Sequence, residues 1–430
     1  MTKTLQSRAQ AVLPAGGFGN FDPSLFIERG DGGFVYDTDG TRYVDYLIGS
    51  GPMLLGHGHK EVVEAVQEQV TKGMTFFANN EKGLELAEEI CDTVACAEQL
   101  RYVSAGGEAD MYAMRLARAY RGKSKILKFE GGYHGMCAEA QMSLAPAKQV
   151  NFPQAVPDSA GIPASVEAEM LIAPFNDLDF VHSLVDEYED ELAAIIVEPL
   201  QRIIPPKPGF LEGLRAICDK TGILLIFDEV VTGFRFAYGG AQAHYGVTPD
   251  IATFGKVIGG GFPLAAIAGP AEIMKHFDKS AVGQEGFLMQ LGTLSGNPVA
   301  SVAGLKTLEI LRRDGGYERL NANGTRLMSM IANALDAHGI AYQIVGHPTL
   351  FDVQFCHHEI HNYRDVKAAD AKKNAAFNKV LREHGIFKST GKIYPHLALE
   401  EEHFEITEQA LVHAARHVAE MGAQSRCTGA

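Results

Sequence analysis

The sequence predicts an α/β protein built around a mostly parallel sheet, and two observations lead to this prediction. Short apolar runs, each of the length of a buried strand, recur along the middle of the chain: residues 100–103, 126–129, 192–197, 223–227 and 264–268. Segments with apolar residues at helical spacing lie before and between these runs: residues 60–73, 81–91, 108–122 and 210–220. Continuous apolar strands that alternate with helices are typical of a sheet covered on both faces.

The two ends of the chain have a different pattern, which predicts a second and smaller α/β unit. Residues 34–37 and 43–46 flank Asp39-Gly40, a dipeptide that favours the tight turn of a hairpin. Helical spacing of apolar residues predicts two long helices near the other end, at residues 315–337 and 368–384. Short strands are expected between them.

The length and composition of the chain are those of a globular protein with more than one domain. It has 430 residues, of which 46% are hydrophobic and 21% are charged. Domains commonly contain about 100–200 residues. We therefore predict a large domain at residues 55–305 and a smaller domain formed by residues 1–54 together with residues 306–430.

Charge and targeting signals limit the partners that the sequence favours. The formal net charge is −15, which argues against nucleic acid and anionic membranes as partners, because both attract clustered Lys and Arg. The sequence shows neither a signal peptide nor an apolar run of about 18 residues that would span a membrane. Six cysteines are scattered along the chain, a usage typical of a reduced, cytoplasmic protein.

The sequence does not predict a metal site. The one cluster of metal-ligand types comprises Cys356, His357, His358 and His361. Adjacent residues of a strand point to opposite faces, so these side chains would not converge on one ion. No C-x-x-C or H-E-x-x-H spacing is present. A strand that runs into a polar loop is the simpler interpretation.

Two polar residues at the ends of apolar runs are the first candidates for chemistry. Asp228 follows the run at residues 223–227, and ligands of open α/β sheets bind beyond the carboxyl ends of the strands. Lys256 lies between Gly255 and the glycines at residues 259–261, where burial would lower its pKa and make it a nucleophile for carbonyl groups. The alternatives are a helix cap or surface acid for Asp228 and a surface lysine for Lys256.

Two further turns at strand ends complete a possible cofactor site. Gly106 and Gly107 precede a helix, whose first amide groups can bind phosphate. Tyr133 and His134 follow a Gly-Gly turn, although Tyr133 would equally suit a packed core. Pyridoxal phosphate requires an amine, an acid for its ring nitrogen, phosphate donors and an aromatic ring. All four requirements are met by residues that follow strands.

Taken in order, these segments resemble the class III aminotransferases, which belong to the fold-type I pyridoxal-phosphate enzymes. The resemblance covers nearly the whole chain, and the glutamate-1-semialdehyde 2,1-aminomutase branch is the most similar. The matching segments are LFIERGDGGFVYDTDGTRYVDY, LLGHGHKEVVEAV, APFNDLD, IIVEPL, IFDEVVTGFR, FGKVIGGGFPLAA and GTLSGNP. The resemblance implies a large domain with a seven-stranded, mostly parallel sheet and a small domain from both termini.

The resemblance also implies roles for individual residues at the cofactor ring. Lys256 would form the internal aldimine with pyridoxal phosphate and would then move a proton between the substrate and the cofactor. Asp228 would pair with the protonated ring nitrogen, whose charged form a carboxylate favours. Val230 would contact one face of the ring and Tyr133 the other, with His134 beside them.

The remaining implied roles concern the phosphate and a second subunit. Gly106 and Gly107 would donate backbone hydrogen bonds to the phosphate. Thr293 would reach the phosphate of the neighbouring subunit, which implies a homodimer with active sites at its interface. Glu198 would lie near the cofactor and the substrate pocket.

Three departures from the pattern of the family and of its aminomutase branch fall near these positions. Residues 105–109 read Ala-Gly-Gly-Glu-Ala, without the usual Ser and Thr hydroxyls, so phosphate binding would depend more on backbone amides. Residues 16–26 lack the arginine that binds the substrate carboxylate in that branch. After Glu198 the chain reads Leu-Gln-Arg-Ile-Ile-Pro-Pro, so we name Arg202 and Gln201 as candidate substrate residues. A surface arginine is the alternative for Arg202.

The sequence thus predicts an aminotransferase that moves an amino group from an amine, ω-amino acid or amino acid to a keto acid or aldehyde. Its cofactor would cycle between pyridoxal phosphate and pyridoxamine phosphate. The alternative is an aminomutase of the glutamate-1-semialdehyde type, because residues 239–242 resemble the gating region of that branch. A non-catalytic protein of the same fold is disfavoured, because Lys256 and Asp228 are both present.

Overall fold

The computed structural model describes residues 4–427 and contains three sheets. The strands, in chain order, are β1 Ile27–Asp31, β2 Phe34–Asp37, β3 Arg42–Asp45, β4 Gln99–Val103, β5 Lys125–Phe129, β6 Met170–Ala173, β7 Leu192–Val197, β8 Leu224–Asp228, β9 Ile251–Phe254, β10 Ala265–Gly269, β11 Gln343–His347, β12 Leu350–Gln354 and β13 Ile386–Phe387. The central sheet has seven strands in the order β4-β10-β9-β8-β7-β5-β6.

The central sheet is mostly parallel, which confirms the predicted fold class. Strands β5 to β9 pair in parallel, whereas β10 is antiparallel to both β9 and β4. Parallel neighbours require a crossover of about a dozen residues or more. Only residues 255–264 connect β9 to β10, and they contain the short 3-10 helix Lys256–Gly259. The chain is therefore too short to cross the sheet, and β10 returns antiparallel.

The apolar runs at residues 100–103, 126–129, 192–197, 223–227 and 264–268 all correspond to strands of this sheet. Strands β6 and β9, of four residues each, were not identified as separate strands from the sequence. All residues of β6, β7, β8 and β9 are buried. This burial explains why these strands are continuously apolar and do not alternate.

In chain order the α-helices are α1 Leu5–Val12, α2 Lys60–Lys72, α3 Glu81–Thr93, α4 Gly106–Arg121, α5 Ala164–Ala168, α6 Leu178–Tyr188, α7 Phe210–Thr221, α8 Gly240–Tyr245, α9 Ala271–Met274, α10 Lys279–Gly286, α11 Pro298–Leu311, α12 Gly316–Asp336, α13 Tyr363–Lys367, α14 Ala371–Glu383 and α15 Glu401–Cys427. Helix α4 packs against the central sheet, and other helices belong to the unit formed by the two ends of the chain. Helix α4 begins at Gly106, two residues earlier than predicted, and Gly122 caps it in the left-handed conformation. No helix in the described part of the chain is long and apolar enough to span a membrane.

The N-terminal and C-terminal segments form a common sheet and a common core. Strands β2 and β3 pair antiparallel around the predicted Asp39-Gly40 turn, and β13 pairs in parallel with β3. The core beneath them combines residues from both ends of the chain, including Phe34, Val44, Phe377 and Leu411. This arrangement agrees with a smaller unit built from both termini, while the domain boundaries at 54/55 and 305/306 remain predictions.

Candidate active site

The candidate residues lie at one edge of the central sheet because they follow the carboxyl ends of its strands. Asp228 is the last residue of β8, and Lys256 is the second residue after β9. Glu198 directly follows β7, and the segment with Tyr133 and His134 follows β5. Gly106 begins α4 shortly after β4. The fold therefore gathers at one edge residues that are far apart in the sequence, where open α/β sheets bind ligands.

Lys256 is a largely buried amine in an unusual backbone conformation. Its φ angle is 48°, in the left-handed region that non-glycine residues seldom adopt. Among the described residues, no hydrogen-bond acceptor or carboxylate contacts its Nζ atom. Burial lowers the pKa of Lys256, and the cations Lys392 and Arg235 lower it further, against the opposing charges of Tyr394 and Asp228. The amine is therefore more readily neutral and nucleophilic than a surface lysine.

Asp228 is a buried carboxylate that two neighbours hold in place. Its Oδ1 atom accepts a hydrogen bond of 3.0 Å from the Val230 amide, and its Oδ2 atom lies 2.8 Å from Nδ1 of His134. Asp228 and His134 are both buried. The Nε2 atom of His134 is also buried and has no hydrogen-bond partner among the described residues.

Asp110, which the sequence analysis did not single out, is part of the same cluster. Atoms of Asp110, His134 and Asp228 that could bind an ion all lie within 4.8 Å of one another. The sequence contained an indication of this. Asp110 lies three, four and seven residues before Ala113, Met114 and Ala117, so it shares the apolar and buried face of α4, where a carboxyl group is unusual.

The predicted absence of a metal site stays a prediction, although this spacing of Asp110, His134 and Asp228 could hold a small cation. In the cluster at residues 356–361, Cys356 donates from Sγ to the carbonyl group of His358 at 3.3 Å, while the histidine rings contact other residues. His358 approaches the carbonyl group of Asp365 at 2.9 Å, and His361 approaches the carboxylate of Glu359 at 2.9 Å.

The start of α4 has backbone donors without a partner among the described residues. Ala105 supplies no side-chain cap, and the amides of Gly106 and Gly107 meet no acceptor in the part of the chain that the structure describes. A Cβ atom on Gly106 would lie 2.5 Å from Cγ1 of Val230, and one on Gly107 would lie 2.7 Å from the Gly135 backbone. Only glycine allows these close approaches. The two amide groups are free to bind an anion at the helix start.

These features fit pyridoxal phosphate. A buried amine without a partner, a buried and oriented carboxylate, and free amides at a helix start correspond to the aldehyde, ring nitrogen and phosphate of this cofactor. Val230 lies beside both Gly106 at the helix start and Gly255 next to Lys256. Tyr133 is 38% exposed, and its backbone amide donates a hydrogen bond of 2.9 Å to the buried Glu198 carboxylate.

The loop after Glu198 leaves Arg202 exposed beside Tyr133 and buries Gln201. Residues 201 and 204 exchange backbone hydrogen bonds of 3.0 and 2.8 Å, which forms a tight turn with Arg202 at φ 63°. The guanidinium carbon of Arg202 lies 5.1 Å from the ring centre of Tyr133. Gln201 donates instead to the carbonyl group of Glu130 at 2.8 Å, and its Oε1 atom is buried without a partner among the described residues.

Lys392 and Arg235 are two further cations that the sequence analysis missed. Burial, followed by the nearby charge of Arg202, lowers the pKa of Lys392 to about 7, while Glu198 and Asp228 oppose this change. No hydrogen bond or ion pair of the Lys392 amine is found among the described residues. Arg235 is fully buried and donates to the carbonyl groups of Thr349 and Gly51. Their roles depend on contacts between distant segments, which sequence spacing does not reveal.

Thr293 lies outside this cluster in the single chain. It is exposed, and its carbonyl group accepts a hydrogen bond of 3.2 Å from the Thr75 hydroxyl. No hydrogen bond connects it to Lys256, Asp228 or the start of α4 among the described residues. Its predicted role concerns a neighbouring subunit, so one chain does not test it.

The same fold occurs in structures of related proteins. An ω-transaminase from Sphaerobacter thermophilus is 32% identical, with 96% of this chain and 97% of that chain covered and a TM-score of 0.89. A β-phenylalanine aminotransferase from Variovorax paradoxus is 27% identical, with 97% and 93% covered and a TM-score of 0.85. A glutamate-1-semialdehyde aminomutase from Pseudomonas aeruginosa is 22% identical, with 96% and 94% covered and a TM-score of 0.85, which shows the fold alone.

The family assignment agrees with the chemistry of the site. The model of the family described as aminotransferase class-III matches residues 19–415. This match covers nearly the whole chain, including Asp228 and Lys256. Both the family and the fold imply pyridoxal phosphate as the cofactor, which the residues of the site fit. The chain therefore belongs to the aminotransferase class-III family, as a pyridoxal-phosphate-dependent aminotransferase of fold type I.

Proposed function

We propose that Lys256, Asp228 and the start of α4 form the catalytic site of a transaminase. The observation that carries this proposal is the largely buried Lys256 amine, which lacks a partner in the described chain and lies at the same sheet edge as buried Asp228. Amines and β-amino acids are the donors to test first, because the similar proteins are named ω-transaminase and β-phenylalanine aminotransferase. A keto acid or aldehyde would accept the amino group.

The residues of the proposed site would act on different parts of the cofactor. Pyridoxal phosphate supplies the electron-accepting ring that makes the carbon next to the substrate amino group acidic. Lys256 binds the cofactor and then holds and moves the proton at its Nζ atom, for which its lowered pKa makes it suitable. Asp228 keeps the proton on the ring nitrogen. The amides of Gly106 and Gly107 bind the phosphate, while Val230 and Tyr133 orient the ring.

Arg202 and Lys392 would bind the carboxylate of a substrate. Both are cations without an ion-pair partner among the described residues, and after burial the nearby charge of Arg202 is what lowers the pKa of Lys392 most. Two unpaired cations repel each other, and a bound carboxylate relieves this repulsion. Gln201 is committed to the Glu130 carbonyl group, so we assign it a supporting role in this turn.

The active enzyme would be a homodimer, because an apolar surface surrounds Thr293. Phe77 is 70% exposed, Leu291 is 66% exposed and Met74 is 63% exposed. The segments that carry them are joined by the hydrogen bond between Thr75 and the Thr293 carbonyl group. Large exposed apolar areas mark interaction surfaces. A second copy of the chain on this surface would bring Thr293 towards the neighbouring phosphate.

The aminomutase remains the alternative, but residues 239–242, which suggested it, are fixed by hydrogen bonds to Glu229. Glu229 is fully buried, and its carboxylate accepts hydrogen bonds from the amides of Ala241 and Gln242 and from the Gln242 side chain. A Cβ atom on Gly240 would lie 2.5 Å from this carboxylate. These contacts favour a fixed start of α8 over a mobile gate, and this supports the transaminase.

A half-reaction with purified, cofactor-loaded protein tests the proposal. Alanine, glutamate, 1-phenylethylamine, a β-amino acid and a diamine would each be added alone, with the cofactor absorbance and the released carbonyl compound both measured. We expect conversion to pyridoxamine phosphate with one carbonyl released per site. Turnover of an amino-aldehyde acid without carbonyl release, together with failure of every single donor, would instead identify a mutase.

A further inference from the structure

Asp110 is a buried acid to which the roles proposed above assign no task. It lies one helical turn after Gly106 on α4 and is 1% exposed. Its Oδ1 atom accepts a hydrogen bond of 2.6 Å from the hydroxyl group of Thr253 on β9. Thr253 is itself fully buried and pairs with Asp228 across β8 and β9. The sheet therefore fixes Asp110 directly beside the carboxylate that would meet the cofactor ring.

The groups around Asp110 make a second negative charge there unfavourable. The pKa of Asp110 is raised, first by burial and then by the charge of Asp228, while the Thr253 hydrogen bond opposes the change. Glu198 adds a further negative charge that raises the pKa, and the close approach of the two aspartates, whose carboxylate oxygens lie within 4.8 Å of each other, acts in the same direction. Two adjacent carboxyl groups in a buried site do not both ionise, so one of them retains a proton.

The remaining contacts indicate which of the two aspartates carries the negative charge. Asp228 accepts from the Val230 amide on one oxygen, and Nδ1 of His134 lies 2.8 Å from the other. Because the buried Nε2 atom of His134 has no partner among the described residues, we place the ring proton on Nδ1, where it is donated to Asp228. Asp110 has one hydroxyl donor, Thr253, on one oxygen. Donors stabilise the ionised form of an acid, and Asp228 has more of them.

We propose that Asp110 is a positioning residue for Asp228: a neutral carboxyl group that Thr253 holds in place and that donates a hydrogen bond to the Asp228 carboxylate. Asp110 thereby keeps the negative charge on Asp228 and directs that carboxylate towards the ring nitrogen. It acts through Asp228 and does not touch the substrate. This inference rests on the proposed role of Asp228.

The protonation of Asp110 is testable without the cofactor. The infrared spectrum of the apoenzyme at neutral pH should contain a protonated carboxyl band that Asp110→Asn lacks. Glu229→Gln is the matched control and should retain the band assigned to Asp110. Glu229 is suitable because it is also fully buried and its pKa is also raised by burial. An Asp110→Asn spectrum that loses only carboxylate absorption would overturn the proposal. Since no cofactor is present, this result is independent of whether the proposed function is correct.

Cofactor binding tests the donated hydrogen bond. The amide of Asp110→Asn retains a donor for Asp228 and an acceptor for Thr253, so its dissociation constant for pyridoxal phosphate should stay close to wild type. Asp110→Leu has similar volume and no donor, so binding should weaken roughly tenfold to a hundredfold, as expected for a lost hydrogen bond to a charged group. Equal weakening in both variants would show that the charge of Asp110 is needed, and no change in either would show that it positions nothing. Wild-type binding itself reports separately on the proposed function.

Discussion

At the scale of single residues, the most informative group is the Lys392 amine, because its charge changes near neutral pH. Burial and the nearby Arg202 lower its pKa to about 7. A lysine is cationic below its pKa and neutral above it, so Lys392 can pair with a carboxylate only on the acidic side. Arg202 stays charged throughout, since an arginine does not titrate in this range.

We expect the affinity for a keto-acid acceptor to fall as the pH rises through about 7, the pKa of Lys392. The measurement is kcat/KM for the acceptor against pH. Lys392→Arg should remove this decline, because its charge persists, and Lys392→Met should have a high KM at every pH. Because Lys392 also acts on the pKa of Lys256, the cofactor absorbance of each protein would be titrated alongside, so that the two effects are separated. A wild-type KM in Lys392→Met would contradict the assignment.

At the scale of secondary-structure elements, the start of α4 is the part of the site with the least space for a larger side chain. The helix begins where β4 ends, and its first two residues lie against Val230 and Gly135. Alanine favours helices more than glycine does, so helix propensity does not account for the two glycines. The space available for a side chain does.

Gly106→Ala should weaken cofactor binding without unfolding the protein. Its Cβ would lie 2.5 Å from Cγ1 of Val230, and overpacking of this kind costs about 1–3 kcal/mol. The measurement is the dissociation constant of pyridoxal phosphate, alongside the thermal unfolding midpoint of the apoenzyme. Adding Val230→Ala to Gly106→Ala should restore part of the affinity, because it removes the clashing methyl groups. Unchanged binding in the single variant would show that the α4 start does not hold the phosphate.

The sequence predicted the elements of the sheet better than the contacts between its loops. Asp228 and Lys256 were identifiable because each follows an apolar run, and the parallel sheet then brings such residues to one edge. The antiparallel direction of β10 was not recognised, although the short link between β9 and β10 implies it. Lys392 and Arg235 could not be placed, since their surroundings come from segments far away in the sequence.

At the scale of the whole molecule, the exposed apolar residues around Thr293 favour a dimer. Phe77 and Leu291 are 70% and 66% exposed, on segments that hydrogen bonds join. Side chains of this size seldom remain in water together on a monomer. Assembly and cofactor binding should therefore depend on each other, because Thr293 would contribute to the partner's phosphate site.

Leu291→Glu should shift the protein to monomers and weaken its binding of pyridoxal phosphate. A charge in the centre of an apolar interface is unfavourable because it loses its hydration. Val12→Glu is the matched control, since Val12 is 78% exposed on α1, a segment separate from those that carry Phe77 and Leu291. Sedimentation at several protein concentrations gives the assembly state, and absorbance gives the bound cofactor. A dimeric, fully loaded Leu291→Glu protein would exclude this surface as the interface.

The identity of the lysine that carries the cofactor is the most direct test of the proposed site. The loaded enzyme would be treated with borohydride, which makes the link between lysine and cofactor permanent, then digested and analysed by mass spectrometry. We expect the pyridoxyl group on the peptide that contains Lys256 and no labelled peptide from Lys256→Ala. Lys128 and Lys392 are the internal comparisons, because burial also lowers their pKa values, to about 8 and about 7. A label on either of these lysines, with Lys256 unmodified, would contradict the proposed site.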